Sequence, residues 1–253
     1  MNSNFGMAML LTVGAGLATT LGGVITITMR RTGPRFMGFT LGFSAGVMIQ
    51  VALVELLRNS IESIGFLSAH VGFLLGMAGI FLIDFLVPHD YMGQHDHEDG
   101  DTGVGLMRVG ILMAFGIGIH NLPEGMATFA STLEDLHLGI AIAVAIAIHN
   151  IPEGLAVSAP IYAATGCRGK ACLWSFLAGM SGLLGALLAA LILMPILTPT
   201  VLGWTLAAVA GIMVSLSIDE LVPAAKAFGS DHAPIVGVIT GVSVIAVSLW
   251  LLK

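Results

Sequence analysis

The chain has 253 residues, of which 57% are hydrophobic and only 9% are charged, and its mean hydropathy is +0.99. A soluble domain carries about 25% charged residues, so this chain has too few charges to cover a soluble core. Its net charge of -6 gives no reason to expect nucleic acid as a partner. Long apolar stretches broken by short polar clusters indicate a protein whose partner is the lipid bilayer.

The hydropathy pattern predicts an all-α transmembrane fold of eight helices, in a single domain over 1–253. Each stretch is near the ~20 residues that cross a bilayer. The ten-residue alternating segments of a transmembrane β-barrel do not occur in the sequence. The predicted helices 1 to 8 cover 6–29, 36–57, 66–87, 109–131, 138–163, 171–194, 201–224 and 234–252.

Basic residues predict the orientation of these helices. Seven of the nine Lys and Arg residues lie in the odd-numbered loops, and the exceptions are Arg58 and Lys253. Because cytoplasmic loops are enriched in Lys and Arg, this asymmetry places the odd loops in the cytoplasm. Both termini are then expected on the outer side of the cytoplasmic membrane.

An internal repeat is present, with one constant offset along the chain. The run AGVM at 45–48, followed by Glu55, returns as AGIM at 210–213, followed by Glu220. Two helix pairs share this offset, since Gly72 and Gly76 match Gly237 and Gly241. Helices 2 and 7 run in opposite directions, which predicts an inverted repeat of helices 1–3 against 6–8 with helices 4 and 5 between them. Secondary transporters often have this plan, with the site near the midplane.

Two copies of one motif lie near the middle of helices 4 and 5. Residues 120–125 read HNLPEG, and residues 149–154 in the next helix read HNIPEG. A charge at the bilayer centre costs roughly 2.5–3.5 kcal/mol on insertion scales, so both glutamates need compensation. Neither helix has a Lys or Arg near that depth, which favours a bound cation.

The spacing within each motif supports a metal ion as that cation. His and Glu at i and i+4 share one helix face, and Asn at i+1 lies close to that face. Imidazole nitrogen and carboxylate oxygen suit Zn²⁺ and its neighbours, and carbonyl and carboxylate oxygens also admit Mn²⁺. Pro123 and Pro152 cannot donate to the preceding turn, so each helix is expected to kink and free a carbonyl. The candidate ligands are His120, Asn121, Glu124, His149, Asn150 and Glu153.

These motifs, with the repeat, resemble the ZIP (Zrt/Irt-like) family, close to its bacterial GufA-like and ZupT-like branches. The resemblance covers nearly the whole chain. It implies a 3+2+3 inverted-repeat bundle that takes Zn²⁺, or Fe²⁺, Mn²⁺, Cd²⁺ or Co²⁺, toward the cytosol. It also implies a principal site of His120, Glu124, His149 and Glu153, and a second metal that Asn121 and Asn150 share with the glutamates.

Further matches extend the implied path. The run LGFSAGVM at 41–48 resembles the family's helix 2, where the methionine at Met48 approaches the metal. Asp84 and His89 resemble the end of helix 3, at the inner exit. The run SIDELVP at 217–223 resembles a helix 7 motif in which a His–Glu pair lies on the path, and here Asp219 replaces the histidine beside Glu220. As the repeat partner of Glu220, Glu55 is expected near the outer mouth.

Helix 6 departs from the family pattern. The branch often reads S-G-x-x-E-P-x-G-A there, whereas this chain reads AGMSGLLGA at 178–186, with Gly182 in place of the glutamate. The expectation is an intact first metal site and a weak second one.

The predicted cytoplasmic loop 89–107 is rich in His and Asp, including His95 and His97. Such a tract can hold metal loosely, and the alternative is a solvated loop without a metal role.

The sequence thus predicts a carrier without an organic cofactor, working by alternating access as the two repeats move about helices 4 and 5. A rival interpretation is an intramembrane zinc hydrolase, which would need an open coordination position and a general base. The chain lacks H-E-x-x-H and has no acid or base beyond the candidate ligands. A metal-gated channel would use the same site and is a third interpretation. The sequence does not determine the order of metal preference or whether the chain forms a homodimer.

Overall fold

The computed structural model of the protein describes residues 4–29, 33–86, 102–193, 196, 198–227 and 232–251. This part of the chain is helical, with no strand. Eight long helices are α1 Phe5–Thr28, α2 Pro34–Ile64, α3 Phe66–Leu86, α4 Thr102–Glu134, α5 Leu136–Thr165, α6 Arg168–Ile192, α7 Pro199–Ala227 and α8 Ala233–Leu251. Six of them, all but α3 and α4, are long and apolar enough to cross a membrane over their described residues. The predicted all-α transmembrane bundle is therefore confirmed.

Two helices are longer than the hydropathy pattern predicts. Helix α2 continues from the predicted end at 57 to Ile64 and stops at Gly65, whose φ of 83° suits glycine. Helix α4 begins at Thr102, inside the predicted loop 89–107. Hydropathy detects only the apolar part of a helix, whereas backbone hydrogen bonds carry it on through polar turns.

A tight turn pairs the two motif helices. Asp135 alone separates α4 from α5, and its carboxylate accepts from the backbone N–H of Leu138 at 2.8 Å, which caps α5. With so short a link the two helices must run side by side in opposite directions. The antiparallel pairing brings their central motifs to the same depth.

Glycine contacts reproduce the repeat in three dimensions. A Cβ at any of the following glycines would overlap a carbonyl group of the neighbouring helix, so these backbones touch. Between α2 and α8, Gly46 meets Val238 and Gly241 meets Phe43; between α3 and α7, Gly211 meets Phe73 and Gly76 meets Ala208. Each contact between α2 and α8 therefore has a counterpart between α3 and α7, at the same offset that relates 45–48 to 210–213.

The repeat is inverted, as the sequence predicts. Along α2 the residues Met48, Ser60 and Ser63 contact Ser217, Gly203 and Pro199 of α7. The numbers rise on one helix and fall on the other. Helices α2 and α7 are repeat partners, so their antiparallel course means that the two repeats have opposite orientations.

The same symmetry continues through the motif helices. Gly125 of α4 lies against the carbonyl of Gly182 in α6, and Gly154 of α5 lies against the carbonyl of Thr19 in α1. Gly125 and Gly154 hold the same position in the two motifs, so Thr19 and Gly182 are equivalent as well. Helices α1 and α6 are thus repeat partners with a slightly shorter offset than the other two pairs.

Packing divides the helices into two groups. Helices α1, α4, α5 and α6 pack on one another, as do α2, α3, α7 and α8, and the groups meet mainly where α2 touches α5 and α4 touches α7. Each group contains helices from both repeats. The packing groups therefore do not coincide with the two repeats, because α1 and α6 pack with the motif helices and not with the rest of their repeats. The expected movement of one repeat against the other stays a prediction.

Candidate metal site

Glu124 and His149 meet between the two motif helices. The Nε2 of His149 lies 2.9 Å from Oε1 of Glu124, and both side chains are buried, with 0% of the His149 surface and 1% of the Glu124 surface exposed. The other ring nitrogen, Nδ1, lies 3.2 Å from the carbonyl oxygen of Ala145. Both ring nitrogens therefore face acceptor oxygens. A neutral imidazole has only one N–H, which serves only one of the two oxygens; with that N–H on Nδ1, a proton or a cation is needed between Nε2 and Oε1.

This environment of His149 is the one that metal-binding histidines have. Such residues usually donate their second ring N–H to a backbone carbonyl or carboxylate, which fixes the tautomer and orients the ring. If Nδ1 donates to Ala145, then Nε2 presents its lone pair toward Glu124. A divalent ion between Nε2 and Oε1 would satisfy both atoms.

The two motif asparagines are held in the same way on opposite sides of the pair. Asn121 donates Nδ2 to the carbonyl of Ala178 in α6, and Asn150 donates Nδ2 to the carbonyl of Ala15 in α1, each at 2.9 Å. Both side chains are buried, and neither Oδ1 has a hydrogen-bond partner among the described residues. A buried acceptor without a partner is costly, so these oxygens suit a cation or water.

The unsatisfied amide oxygens belong to residues that line one small cavity. Its volume is about 10 Å³, close to the space that one water molecule needs. Glu124 also lines it, together with Thr128, whose buried hydroxyl lacks a partner in the described part of the chain. Gly182 forms part of the wall. A Cβ there would lie 3.5 Å from the Asn121 carbonyl oxygen, an ordinary van der Waals distance.

Glu153 is the other motif glutamate, and it is fully buried. Ser44 of α2, also fully buried, donates its hydroxyl to Glu153 Oε1 at 3.2 Å. Ser44 belongs to the run 41–48, but the sequence analysis gave it no role. Its position four residues before Met48, and so on the same face of α2, was the available signal.

Met48 is buried on the same helix. Its sulfur lies 3.7 Å from the hydroxyl oxygen of Ser217 in α7, a hydroxyl that donates to the carbonyl of Met213 at 2.7 Å. The thioether thus lies where α2 meets α7, between the two repeats.

Three of the predicted path residues lie in two matching π-helical turns. Glu55 is in the π-helical turn Ala52–Leu56 of α2, and Asp219 and Glu220 are in the π-helical turn Ser217–Leu221 of α7, which the repeat offset relates to the first. Glu55 is buried, and Asn59 donates to its carbonyl at 2.6 Å and to Oε2 at 3.4 Å. Asp219 is exposed and Glu220 is half-buried. Such turns often occur at functional sites.

The remaining candidates lie outside what the structure describes. This applies to the side chains of His120 and Asp84, which are on α4 and α3, and to His89, His95 and His97 altogether. Within the described residues, no three His, Cys, Asp or Glu side chains form a group that could hold a metal ion. The structure brings together Glu124 with His149 and Ser44 with Glu153, and it holds the two asparagines on either side.

Known proteins of one kind are similar to this chain over its full length. Residues 86–249 match the family described as ZIP Zinc transporter. The chain is 47% identical to zinc transporter ZupT of Nitratidesulfovibrio vulgaris, over 99% of this chain and 98% of that protein. It is 48% identical to ZupT of Chlorobium luteolum and 44% identical to ZupT of Streptococcus mutans, each over 99% of both chains.

These matches confirm the resemblance found in the sequence. They also confirm a multi-pass membrane protein that transports divalent metal, and they leave the hydrolase interpretation without support. Full-length similarity of this kind leaves one assignment. The chain belongs to the ZIP family of zinc transporters.

Proposed function

We propose that this protein carries Zn²⁺ across the cytoplasmic membrane into the cytosol through a site between α4 and α5. The observation that supports this most directly is the buried contact between Glu124 and His149 at 2.9 Å. It joins one residue of each motif between α4 and α5, and a divalent cation held by Nε2 and Oε1 would satisfy both atoms.

The ligand chemistry favours zinc and its neighbours in the first transition series. The described residues offer one imidazole nitrogen, two carboxylates and two amide oxygens, and His120 would add a second imidazole. Zn²⁺ binds nitrogen and carboxylate oxygen in four-coordinate sites. Fe²⁺, Mn²⁺, Co²⁺ and Cd²⁺ remain candidates, since ligand type alone does not rank them.

A single ion is the expected occupancy. Asn121 and Asn150 present amide oxygens toward the small cavity, but Gly182 supplies no carboxylate there. The ligands of a second divalent ion would then be two neutral amide oxygens and motif glutamates that also bind the first ion. Anomalous diffraction that finds two fully occupied metals at physiological metal levels would contradict this expectation.

The path on either side of the site follows the two π-helical turns. Glu55 would attract the ion on the outer side, and Glu220, with Asp219, Asp84 and His89, would receive it on the inner side. Histidines of the loop, His95 and His97, would hold metal loosely after release. The assignment of outer and inner sides follows from the charge asymmetry of the loops, which predicts both termini outside, and the inward direction of transport follows from the family resemblance.

A channel would share the same ligands, and transport kinetics separate the two. A carrier with buried, hydrogen-bonded ligands must rearrange for each ion, so its rate saturates at low metal and stays far below that of an open pore. Uptake that rises linearly with metal concentration would favour the channel.

The direct test is uptake by purified protein in liposomes that contain a zinc-sensitive dye. Wild-type protein is expected to fill the vesicles, whereas Glu124→Ala and His149→Ala are expected to abolish uptake, because each removes a candidate ligand. Equal filling by wild type and variants would refute the proposed site. Running Fe²⁺, Mn²⁺, Cd²⁺ and Co²⁺ in parallel measures the selectivity.

A further inference from the structure

We propose that Ser44 is a positioning residue for the transported metal. Its hydroxyl fixes the carboxylate of Glu153 and so makes the two motif glutamates chemically unequal. The inference rests on the proposed metal site, and it assigns a role to a residue outside both motifs and outside the motif helices.

The evidence is a buried contact between the two helix groups. Ser44 and Glu153 both have 0% exposed surface, so water does not compete for either. The Ser44 hydroxyl lies 3.2 Å from Glu153 Oε1 and 3.4 Å from the backbone carbonyl oxygen of His149. A hydroxyl has one proton to donate, and a carboxylate is the stronger acceptor of the two.

The repeat provides an internal comparison for this contact. The offset that relates α2 to α7 pairs Ser44 with Val209, and Glu153 of one motif corresponds to Glu124 of the other. Val209 is buried and lines an apolar groove of about 580 Å³ with Pro123 and Met126 of α4. A valine has no proton to donate. The repeat-related position on α7 therefore offers no hydroxyl, whereas Ser44 on α2 donates one to Glu153.

A fixed Oε1 determines how the carboxylate meets an ion. Carboxylates that bind metals are themselves hydrogen-bonded, and losing such an outer partner typically lowers metal affinity about 10- to 100-fold. Removing it leaves the ligand present but less well oriented, so binding should weaken while the transport cycle stays intact.

The test measures Zn²⁺ binding and Zn²⁺ uptake with the full chain. Ser44→Ala removes only the hydroxyl and is expected to raise the Kd and KM for Zn²⁺ about 10- to 100-fold, with the maximal rate within about twofold of wild type. Ser60→Ala is the matched control, because Ser60 is also fully buried and donates across helices, to Gly203 at 2.8 Å, but within one helix group. It is expected to leave the Kd unchanged.

A double-mutant cycle shows whether Ser44 acts through Glu153. In a Glu153→Gln background, Ser44→Ala is expected to change the Kd for Zn²⁺ by less than about twofold, because the carboxylate that it positions is gone. An unchanged Kd in the single variant, or an equal fall in affinity for Ser44→Ala and Ser60→Ala, would overturn the proposal. Failure of wild-type protein to bind Zn²⁺ would instead refute the metal site itself.

A second variant and a spectroscopic signal guard against a folding defect. Ser44→Cys keeps a weaker donor at the same place, so its Kd is expected between those of wild type and Ser44→Ala. The Zn²⁺-induced infrared difference spectrum should contain a carboxylate band that Glu153→Gln removes. Ser44→Ala and Ser44→Cys should shift that band and Ser60→Ala should not; an unshifted band would count against the role of Ser44.

Discussion

The two places where the helix groups meet are related by the repeat, yet they differ. Where α2 meets α5, a serine hydroxyl crosses to a motif glutamate, and the contact is fully buried. Where α4 meets α7, the corresponding valine lines an apolar groove of about 580 Å³. Inside each group, by contrast, equivalent glycines touch equivalent carbonyls on both sides of the symmetry.

The difference indicates where symmetry matters in this molecule. Within each group the helix backbones touch because glycine has no side chain, and glycines at repeat-related positions keep these contacts alike. Contacts between the groups are set by side-chain chemistry, which a single substitution changes. The paired motifs are thus alike in sequence, but Ser44 of α2 donates a hydroxyl to Glu153, whereas Val209 at the repeat-related position of α7 has no proton to donate.

The largest effect is expected from substitutions at the glycine contacts that the repeat relates to each other. A Cβ at Gly125 would overlap the carbonyl of Gly182, and one at Gly154 would overlap that of Thr19. Overpacking typically costs about 1–3 kcal/mol, so Gly125→Ala and Gly154→Ala should each lower the unfolding temperature, and by similar amounts. Thermal unfolding in detergent measures this. Gly182→Ala is the control, since a Cβ there has room; a similar fall in all three variants would contradict the packing argument.

An intermediate effect is expected at a position where the repeat partners differ. Gly182 and Thr19 are equivalent in the repeat, and neither provides a carboxylate near the cavity. Gly182→Glu should raise the stoichiometry of Zn²⁺ binding from one ion per chain toward two, because it adds a charged oxygen ligand beside Asn121. Isothermal titration calorimetry measures the stoichiometry, with Gly182→Gln as the uncharged control. One ion in both variants, or two in wild type, would refute the occupancy argument.

The smallest effect is expected from moving the hydroxyl to the other interface. Val209→Thr in a Ser44→Ala background adds a donor at the repeat-related position, but that position lies beside α4 and not beside Glu153. The Kd for Zn²⁺ should therefore stay within about twofold of Ser44→Ala alone. A return to the wild-type Kd would mean that a hydroxyl at either interface suffices. It would contradict the claim that the hydroxyl acts only where α2 meets α5.

Much of the fold could be predicted from the sequence because a bilayer permits few solutions. Helices were identified by length and apolarity, and the repeat by its constant offset. The ends of α2 and α4 were less predictable, because polar residues such as Arg58 and Asn59 continue a helix without raising hydropathy. The grouping of α1 and α6 with the motif helices was also not visible in the pattern.

The candidate site was only partly predictable for a similar reason. Glu124, His149 and the two asparagines follow from a motif, since i and i+4 residues share a helix face. Ser44 could not be found this way, because it lies on another helix and its role depends on which helix packs against α5.

The sequence by itself determined the class of protein, the helices, the inverted repeat and the paired motifs, since each is a matter of composition or of spacing along the chain. Only the tertiary structure decided which side chains meet. The contacts between His149 and Glu124 and between Ser44 and Glu153 join residues 25 and 109 positions apart. Such contacts depend on the packing of helices, and no local pattern along the chain encodes that packing.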